Sequence, residues 1–580
     1  MIFSTRLAFC FSIFLLFFNT SHAQYLAQIS STATVVSNDV AHDASGNAYS
    51  TGGFIGEADF RDTVGSFFSI SSLGLKDIFI AKYDVQGRPA WGFSIGGIAG
   101  GPGIDDEGTA IAVSPAGHIF VTGYFQGTAD FDPGAGTAEL TSQGFRDVFL
   151  ASYTSDGEFR WAQSFGGSAD DRGQDVTISG NEAVYFTGLF RETAQLSSDS
   201  NGSNTATSGG EEDGYLLAMD QNAGFNWLFS YGGVSIDKGN QVGTDEAGNV
   251  YLLGVFSRNA EFDPGSGSTM FSSLAGSQDG VLATYTPSGD LRWAIPIGGG
   301  QLDGTNGLAV DPAGNTFITG HFLGIVDFNP TGSPQEIVST GRDLYIASYN
   351  PTGGLSWIHP MGSGFAEGID IARNNAGNIL VTGFFNDNIF PNPASTEQLT
   401  SNGEQDILLA SYQPDGTFRW AQAIGGTFSE VPSGVSLSDS DDTFLTGHFE
   451  DGVDFNTGSG TLLAFSAGSF DGFLVRYGPN GVFSVANEDH PFLNPDDFKL
   501  ETFPNPVVNR LEVHLTSGQD GQVHLELLDI LGRQIRTEKA SVVNGSKTTL
   551  NMDVSDLPAG LYFIRAVAQS TRFVSITVLR

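Results

Sequence analysis

The sequence predicts an all-β protein in which seven copies of a four-stranded unit form a closed β-propeller, followed by a small immunoglobulin-like β-sandwich. Three observations lead to this prediction: a phrase repeated seven times, a tryptophan in six copies, and a seventh copy that stops one strand early. The phrase is Thr-Gly-x-Phe, with Leu253 replacing the threonine once, and its glycines are 63 to 71 residues apart. Such a period is typical of one supersecondary unit copied in series. The glycines are Gly52, Gly123, Gly188, Gly254, Gly320, Gly383 and Gly447.

One unit is visible in full between Thr109 and Gly167. It contains four short runs rich in Val, Ile, Phe, Tyr and Thr, at residues 109–114, 118–125, 147–153 and 159–165. Turns made of Gly, Pro, Asp and Ser separate the runs, and helical periodicity is absent. Each unit is therefore predicted to be one blade of four antiparallel strands.

The repeated side chains have structural interpretations. We expect the tryptophans to pack between neighbouring sheets, the aspartates to accept backbone hydrogen bonds where the third strand begins, and the Gly-Asn pairs to form tight turns. The tryptophans are Trp91, Trp161, Trp227, Trp293, Trp357 and Trp420. The aspartates are Asp77, Asp147, Asp213, Asp279, Asp343, Asp406 and Asp471. The Gly-Asn pairs begin at Gly46, Gly248, Gly314 and Gly377.

The seventh unit lacks its tryptophan strand, and a matching segment lies at the other end of the chain. Leu26-Ala27-Gln28-Ile29 is similar to the segment that begins at Trp420, with Leu26 in the tryptophan place. We therefore predict that the N-terminal strand completes the last blade, which removes exposed edges and joins the ends of the array.

The recurring pattern Gly-Asn-x-Tyr-x-Thr-Gly-x-Phe, Asp-x-Phe, Gly-x-x-x-Trp and Gly-Gly resembles the bacterial SBBP repeats, which are named for seven-bladed β-propellers. The resemblance covers about residues 25 to 485, within a predicted propeller domain at 24–486. It implies the fold and brings no settled activity.

The C-terminal segment is predicted to be a separate module. Residues 487–499 have the composition of a polar, proline-bearing linker, and residues 500–580 alternate apolar and polar side chains as half-buried strands do. This module resembles the type A sorting domain of the type IX secretion system of Bacteroidetes, with Arg572 where that family often has lysine. The resemblance implies passage through the outer membrane, with the secretion machinery as a partner. The motif residues are Pro504, Asn505, Pro506, Leu557, Pro558, Gly560 and Tyr562.

Residues 1–23 are predicted to be a secretory signal peptide, cleaved near Ala23. Cys10, the only cysteine, lies inside it, so the mature chain has no disulfide or thiolate chemistry.

The chain carries a net charge of −40, which repels nucleic acid and anionic lipid. No later segment is apolar enough to span a membrane. The predicted location is secreted or on the outer-membrane surface.

Acids recur after the double glycine that ends each tryptophan strand. Carboxylates in six links between blades could form a rim that binds a hard cation such as calcium, whereas turn formation and solubility are the simpler interpretation. No catalytic or cofactor-binding residue is predicted, and calcium is the only cofactor considered. The candidate metal ligands are Asp105, Asp106, Asp170, Asp171, Asp237, Asp303, Glu367 and Glu430.

The favoured function is a secreted or surface-displayed binding, adhesion or interaction scaffold, with a surface glycan or a protein as its ligand. One alternative is an extracellular polysaccharide-processing enzyme, a glycosidase or lyase, with carboxylates at the channel. The other is a purely structural surface protein. The sequence favours a non-enzymatic role and names neither the ligand nor the oligomeric state.

Overall fold

The computed structural model describes residues 24–579, apart from a set of short gaps and the segment 482–497. The gaps are 32, 63–65, 98–104, 197–203, 266, 340, 363, 459–461, 504–506, 518–520, 529–532, 543–546 and 568–570. The predicted signal peptide with Ala23, residues 487–497 of the predicted linker, and the motif residues Pro504, Asn505 and Pro506 lie outside the described residues.

The described chain is all-β, with two single 3-10 turns at Leu274–Gly276 and Pro479–Gly481. Residues 24–481, the repeat region, form seven antiparallel four-stranded units, numbered 1 to 7 along the chain. The chain begins with β1 (Tyr25–Ser31). Unit 1 contains β2 (Val35–His42), β3 (Ala48–Asp62), β4 (Phe67–Tyr83) and β5 (Pro89–Ile95). Unit 2 contains β6 (Glu107–Val113), β7 (Ile119–Asp130), β8 (Glu139–Tyr153) and β9 (Phe159–Gly167).

The later units add a short hairpin between their second and third strands. Unit 3 contains β10 (Arg172–Ile178), β11 (Ala183–Phe190), the hairpin β12 (Thr193–Gln195) and β13 (Thr205–Thr207), β14 (Asp213–Asp220) and β15 (Phe225–Tyr231). Unit 4 contains β16 (Lys238–Thr244), β17 (Val250–Ser257), the hairpin β18 (Asn259–Glu261) and β19 (Met270–Ser272), β20 (Gln278–Tyr285) and β21 (Leu291–Gly299). Unit 5 contains β22 (Gly304–Val310), β23 (Thr316–Phe322), the hairpin β24 (Ile325–Asp327) and β25 (Glu336–Val338), β26 (Asp343–Tyr349) and β27 (Leu355–Met361).

The last two units follow the same plan. Unit 6 contains β28 (Ala366–Arg373), β29 (Ile379–Phe385), the hairpin β30 (Asn388–Ile389) and β31 (Leu399–Thr400), β32 (Asp406–Tyr412) and β33 (Phe418–Gly426). Unit 7 contains β34 (Glu430–Leu437), β35 (Thr443–Phe449), the hairpin β36 (Gly452–Asp454) and β37 (Leu463–Phe465), and β38 (Asp471–Tyr477). The four strands predicted for unit 2 are confirmed, but β7 and β8 are longer than predicted, since β7 continues to Asp130 and β8 begins at Glu139.

The fourth strand of unit 7 is β1, as the sequence predicts. Leu26 pairs with Val475 and Ile29 with Gly472 on β38. On its other edge, β1 pairs with the C-terminal part of β3, where Ile29 lies opposite Phe60. One strand therefore joins unit 7 to unit 1.

The antiparallel order gives every unit two distinct ends. The turns between strands one and two and between strands three and four lie at one end, which we call the lower end. The connection between strands two and three and the exit of strand four lie at the other, the upper end. Gly46, Gly248, Gly314 and Gly377 all have positive φ in the lower turns, which confirms the predicted Gly-Asn turns.

A bulge in every first strand explains the repeated Thr-Gly phrase. Each first strand skips one residue in its register with the second strand, as between Gly108 and Ala110 in unit 2. The bulge brings a carbonyl so close to the phrase glycine that a Cβ on Gly123 would lie 1.9 Å from the Glu107 oxygen. The corresponding distances at the other six glycines are 2.0 to 2.5 Å. Only glycine fits, because no carbonyl oxygen approaches a Cβ that closely.

The first strands lie side by side. Each contacts the first strand of the next unit, and β34 of unit 7 contacts β2 of unit 1. Hydrophobic clusters fill the spaces between neighbouring sheets; one of them joins Tyr25 and Ile29 to Phe79 of unit 1 and Leu474 of unit 7. The apolar core is therefore distributed between the units.

The C-terminal region forms two sheets. It contains β39 (Phe498–Phe503), β40 (Arg510–Ser517), β41 (Gly521–Leu528), β42 (Gln534–Val542), β43 (Lys547–Asp553), β44 (Gly560–Val567) and β45 (Thr571–Val578). The sheets β39-β40-β43 and β42-β41-β44-β45 share one core, in which Leu511 and Val513 of the first sheet cluster with Leu525 and Ile564 of the second. β39 begins two residues before the predicted boundary, and the immunoglobulin-like assignment stays a prediction.

Candidate functional site

Five of the eight candidate metal ligands occupy one equivalent position, at or just before the start of a first strand. Their side chains are buried, and each accepts a hydrogen bond from the second glycine of the preceding unit's double glycine. Asp171 also shows the second contact of this position, since it accepts from Gly167 N at 2.7 Å and from Arg191 N at 3.0 Å. The five are Asp106, Asp171, Asp237, Asp303 and Glu430.

Burial raises the pKa of each of these five acids. The pKa is raised to about 7 for Asp106 and Asp303, to about 6 for Asp171 and Asp237, and to about 8 for Glu430. Their oxygens face backbone N–H groups, so they join one unit to the next.

The other three candidates lie at neighbouring positions and form ion pairs. Asp105 accepts from Arg146 at 2.7 Å, and Asp170 pairs with Arg172. Glu367 pairs with Arg342 at 2.7 Å and lies 3.2 Å from a ring nitrogen of His321. The part of the chain that the structure describes brings together no group of three acids, histidines or cysteines that could hold a metal ion. Calcium binding by the eight acids stays a prediction.

The repeated third-strand aspartates accept backbone hydrogen bonds, as predicted, although Asp77 and Asp147 lie inside β4 and β8, which begin earlier than the sequence predicts. Asp147 accepts from Gln143 N at 3.0 Å, and Asp471 accepts from Ala467 N at 3.0 Å. The first glycine of the double glycine packs directly on this carboxylate, since a Cβ on Gly166 would lie 2.5 Å from the Asp147 carboxyl carbon. This contact explains why a glycine follows the tryptophan strand.

The tryptophans join neighbouring units, as predicted. The Trp293 ring packs on Gly353, a positive-φ glycine in a lower turn of the next unit, and its Nε1 donates to Pro351 O at 2.9 Å. In unit 7 the equivalent residue is Tyr25, whose ring packs on Gly87 of unit 1.

The prediction that Leu26 takes the tryptophan place is wrong by one residue. Trp420 lies opposite Ser411, five residues after Asp406, and the residue five after Asp471 is Arg476, which lies opposite Tyr25. Sequence similarity favours an alignment shifted by one residue, because Ala27-Gln28 then matches Ala421-Gln422. Burial of alternate side chains fixes the register instead, because a slip of one residue would exchange the two faces of β1.

An axial cavity of about 190 Å³ lies between the seven first strands. Residues from all seven units line it at or beside the bulges. The residue skipped at each bulge is polar in six units, and we call these seven residues the bulge ring. They are Asn38, Thr109, Gln174, Asn240, Asn306, Ile369 and Ser433.

The bulge ring also joins the units to each other. Asn38 Nδ2 donates to Gly108 O at 2.9 Å, and Asn306 Nδ2 donates to Gly368 O at 2.8 Å. Sequence reasoning missed this ring. Its signal is a polar residue at one position of six first strands, which becomes visible only when the units are aligned at their bulges.

Three carboxylates follow the bulge ring on the first strands. Asp39 accepts from Ile111 N at 2.8 Å, Asp175 from Val242 N at 2.7 Å, and Asp370 from Val435 N at 2.8 Å. Each donor belongs to the next unit. Burial raises the pKa of Asp39 to about 7, and the nearby charge of Asp370 acts in the same direction.

The residues two positions before the bulge ring on each first strand differ from unit to unit in size and charge. We call these seven residues the mouth ring. Glu107 pairs with Lys76 at 2.8 Å, and Arg172 and Glu367 form the ion pairs described above. Lys238 also belongs to this ring. The mouth ring consists of Val36, Glu107, Arg172, Lys238, Gly304, Glu367 and Val431.

The exposed large apolar side chains of the repeat region all lie at the upper end. They lie in the upper parts of the second and third strands, in the hairpins between these strands, or in the links between units, and their exposed fractions run from 37% to 66%. The lower turns carry none among the described residues. The exposed set is Phe67, Leu73, Leu75, Phe145, Val234, Ile236, Met270, Leu274, Leu302, Ile325, Val338, Phe390 and Phe428.

Residues 501–579 match the family described as the secretion system C-terminal sorting domain. This tail indicates export by the type IX secretion system, so the protein is secreted or displayed at the cell surface. Leu557, Pro558, Gly560 and Tyr562 of the predicted motif lie in the described part of this region, where Tyr562 Oη donates to Pro558 O at 3.0 Å. No helix in the described residues is long and apolar enough to cross a bilayer.

The chain also resembles two curated proteins. An uncharacterised WD repeat-containing protein of Acanthamoeba polyphaga mimivirus is 22% identical over 406 residues, which are 57% of this chain and 29% of that protein. The regulatory protein FlaEY of Caulobacter vibrioides is 23% identical over 513 residues, which are 80% of this chain and 51% of that protein. The chain thus matches less than two thirds of the length of either relative.

Among solved structures, puromycin hydrolase aligns over 84% of this chain and 59% of its own, with 10% identity and a TM-score of 0.37. The sheets described above make the repeat region all-β and propeller-like.

Proposed function

We propose that the repeat region is a closed seven-bladed propeller of the SBBP type that acts as a binding scaffold at the cell surface. The double pairing of β1 with β38 and β3 supports closure. So does the contact between the first strands of units 7 and 1. The sorting tail supports action outside the cell.

The observation that carries the binding role is the restriction of exposed apolar side chains to the upper end. Isolated exposed apolar residues are ordinary, but their concentration on one face is typical of an interaction surface. A structural protein that binds nothing has no need of such an asymmetry.

The chemistry of this face favours a protein partner. Most of the exposed set is aliphatic, as are Leu73, Val234 and Leu302. The fully buried centre of a protein–protein interface is more apolar than the rest of a protein surface. The polysaccharide-processing alternative needs carboxylates open to a substrate, whereas Asp39, Asp175 and Asp370 accept backbone hydrogen bonds.

The test compares two sets of surface variants in the purified mature chain. Leu73→Ser, Val234→Ser and Leu302→Ser combined remove apolar area from the upper end. Val508→Ser and Ile535→Ser combined remove exposed apolar area from the C-terminal region. Binding of labelled protein to cells of the producing strain that lack this protein is measured by flow cytometry.

We expect at least a tenfold loss of cell binding for the upper-end variant and none for the C-terminal control. Equal binding by the wild type and the upper-end variant would overturn the proposal. Circular dichroism checks that both variants keep the wild-type strand content.

A further inference from the structure

The axial cavity contains one cation without a partner among the described residues. Lys238 lines the cavity, and its side chain makes no ion pair or hydrogen bond with the part of the chain that the structure describes. The surrounding cations do have acidic partners: Lys76 pairs with Glu107, Arg172 with Asp170, and Arg342 with Glu367. In a chain with net charge −40, an unpaired lysine inside a cavity is unexpected.

An unpaired charge in a partly enclosed site is costly, because the protein replaces only part of its hydration. Burial lowers the pKa of Lys238; Glu212 and Glu367 act in the opposite direction, while Arg172 lowers the pKa further. An anionic ligand group beside Lys238 would offset this cost.

A second unpaired polar atom lies two residues away on the same strand. Asn240 Nδ2 donates to Thr305 O at 2.5 Å, whereas its Oδ1 is buried without a partner among the described residues. Buried side-chain oxygens normally accept a hydrogen bond. Asn240 and Lys238 both line the cavity, so one ligand in the cavity can contact both side chains.

We propose that the axial cavity binds a small ligand that carries a carboxylate beside a hydroxyl group, such as a uronic acid. Lys238 Nζ donates to the carboxylate, and Asn240 Oδ1 accepts from the hydroxyl. The cavity volume of about 190 Å³ corresponds to roughly six waters at ~30 Å³ each, which suits a single sugar ring.

This site is independent of the apolar upper-end surface, because it uses neither its residues nor a protein partner. Either proposal can therefore fail without the other.

The test is calorimetric titration of the full mature chain with four probes: glucuronate, glucose, acetate and sulfate. We expect glucuronate to bind at least tenfold more tightly than glucose, which lacks the carboxylate. Acetate should bind more weakly than glucuronate, because it lacks the hydroxyl group. Equal binding of glucose and glucuronate, or sulfate binding as tight as glucuronate binding, would overturn the proposal.

Two variants separate the roles of the two residues. Lys238→Met should weaken both glucuronate and acetate at least tenfold, whereas Asn240→Ala should weaken glucuronate and leave acetate unchanged. Lys539→Met, which removes an exposed cation in the C-terminal region, is the control for net charge and should bind like the wild type.

Urea unfolding of the Lys238→Met variant shows whether a loss of glucuronate binding comes from a loss of folding. Lys238→Met should unfold at the same urea concentration as the wild type or a higher one, because it removes an unpaired cation. Wild-type affinity for glucuronate in a folded Lys238→Met variant would overturn the proposal.

Discussion

The contact between units 7 and 1 differs from the six contacts between units that follow each other in the chain. At five of the six regular contacts, a tryptophan packs on a glycine of the next unit, as Trp293 does on Gly353. At the closing contact, Tyr25 takes the tryptophan position, and Val35 occupies the position that holds a buried acid at five of the six regular contacts; Ala366 occupies it at the contact of units 5 and 6. The two partners there are also separated by almost the whole repeat region.

A buried ion pair is found at the closing contact. The Arg476 side chain is fully buried and pairs with Asp442 at 2.8 Å, and it donates to Val85 O of unit 1 at 3.3 Å. Its guanidinium carbon lies 5.0 Å from the centre of the Phe444 ring. Where chain continuity cannot hold two units together, the molecule uses a shared strand and a desolvated charge pair.

Deletion of residues 24–31 tests the closing contact most directly. It removes the strand shared by units 7 and 1, together with the buried side chains of Tyr25, Leu26 and Ile29, and it exposes the edge of β38. We expect a loss of stability on the order of 5 kcal/mol or more, from ~1.5–3 kcal/mol for each large buried side chain. The six tryptophans all lie in the repeat region, so urea unfolding followed by their fluorescence measures this effect.

Addition of a synthetic peptide of residues 24–31 should restore part of the lost stability, whereas a scrambled peptide should not. A deletion variant that stays monomeric with the wild-type urea midpoint would contradict closure by β1.

Arg476→Met tests the ion pair of the closing contact. It leaves Asp442 buried without its cation, and we expect a loss of about 3–5 kcal/mol. Arg88→Met, which breaks the exposed pair with Asp84, is the control and should leave the urea midpoint almost unchanged, because solvent screens an exposed pair. Urea midpoints of the two variants, measured against the wild type, check both expectations.

The double variant Arg476→Met with Asp442→Asn should recover part of the loss, because no uncompensated charge remains. If it were no more stable than Arg476→Met alone, the buried charge would not be the cause.

The buried acids make five of the six regular contacts sensitive to pH, unlike the closing contact with Val35 and the contact of units 5 and 6 with Ala366. Burial raises the pKa of Asp106 and Asp303 to about 7 and that of Glu430 to about 8. In the unfolded chain such groups ionise near pH ~4, so between these values the folded state binds more protons. Stability therefore falls as pH rises through this window.

We expect the repeat region to lose on the order of 1–3 kcal/mol between about pH 6.5 and pH 8.5, at about 1.4 kcal/mol per pKa unit and group. The histidines with lowered pKa, such as His448, are neutral in the folded state and about half protonated in the unfolded state at about pH 6.5, so they oppose the trend only weakly and only at the lower end of this range. Urea unfolding at the two pH values tests it, and Asp303→Asn should reduce the difference. A stability that rises with pH over this range would contradict the assignment.

The fold could be predicted from the sequence to a greater extent than the site. The alternation of β-forming runs with glycine-rich turns locates the strands, and the missing seventh tryptophan strand predicts the pairing of β1. The identity of Tyr25 as the tryptophan equivalent could not be found, because it depends on register rather than on residue similarity. The domain boundaries and the metal assignment stay predictions.

The role of the acids could not be predicted for a different reason. Asp171 and Asp303 stand beside glycines in polar links, a setting that suggests exposure. Whether such a carboxylate faces solvent or a backbone N–H depends on how the next unit packs against it. The unpaired state of Lys238 likewise depends on the positions of acids far away in the chain.

The smallest expected effect is the difference in stability between a variant of a regular-contact tryptophan and a variant of Tyr25 at the closing contact. Trp293→Phe removes the hydrogen bond to Pro351 O, and we expect it to cost ~0.5–1.5 kcal/mol beyond the lost ring area. Tyr25→Phe removes a buried hydroxyl that has no partner among the described residues, so it should be neutral or slightly stabilising. Urea midpoints of the two variants, measured in parallel, test the difference. Equal losses would mean that the hydroxyl of Tyr25 stabilises the closing contact as the indole N–H stabilises the regular one.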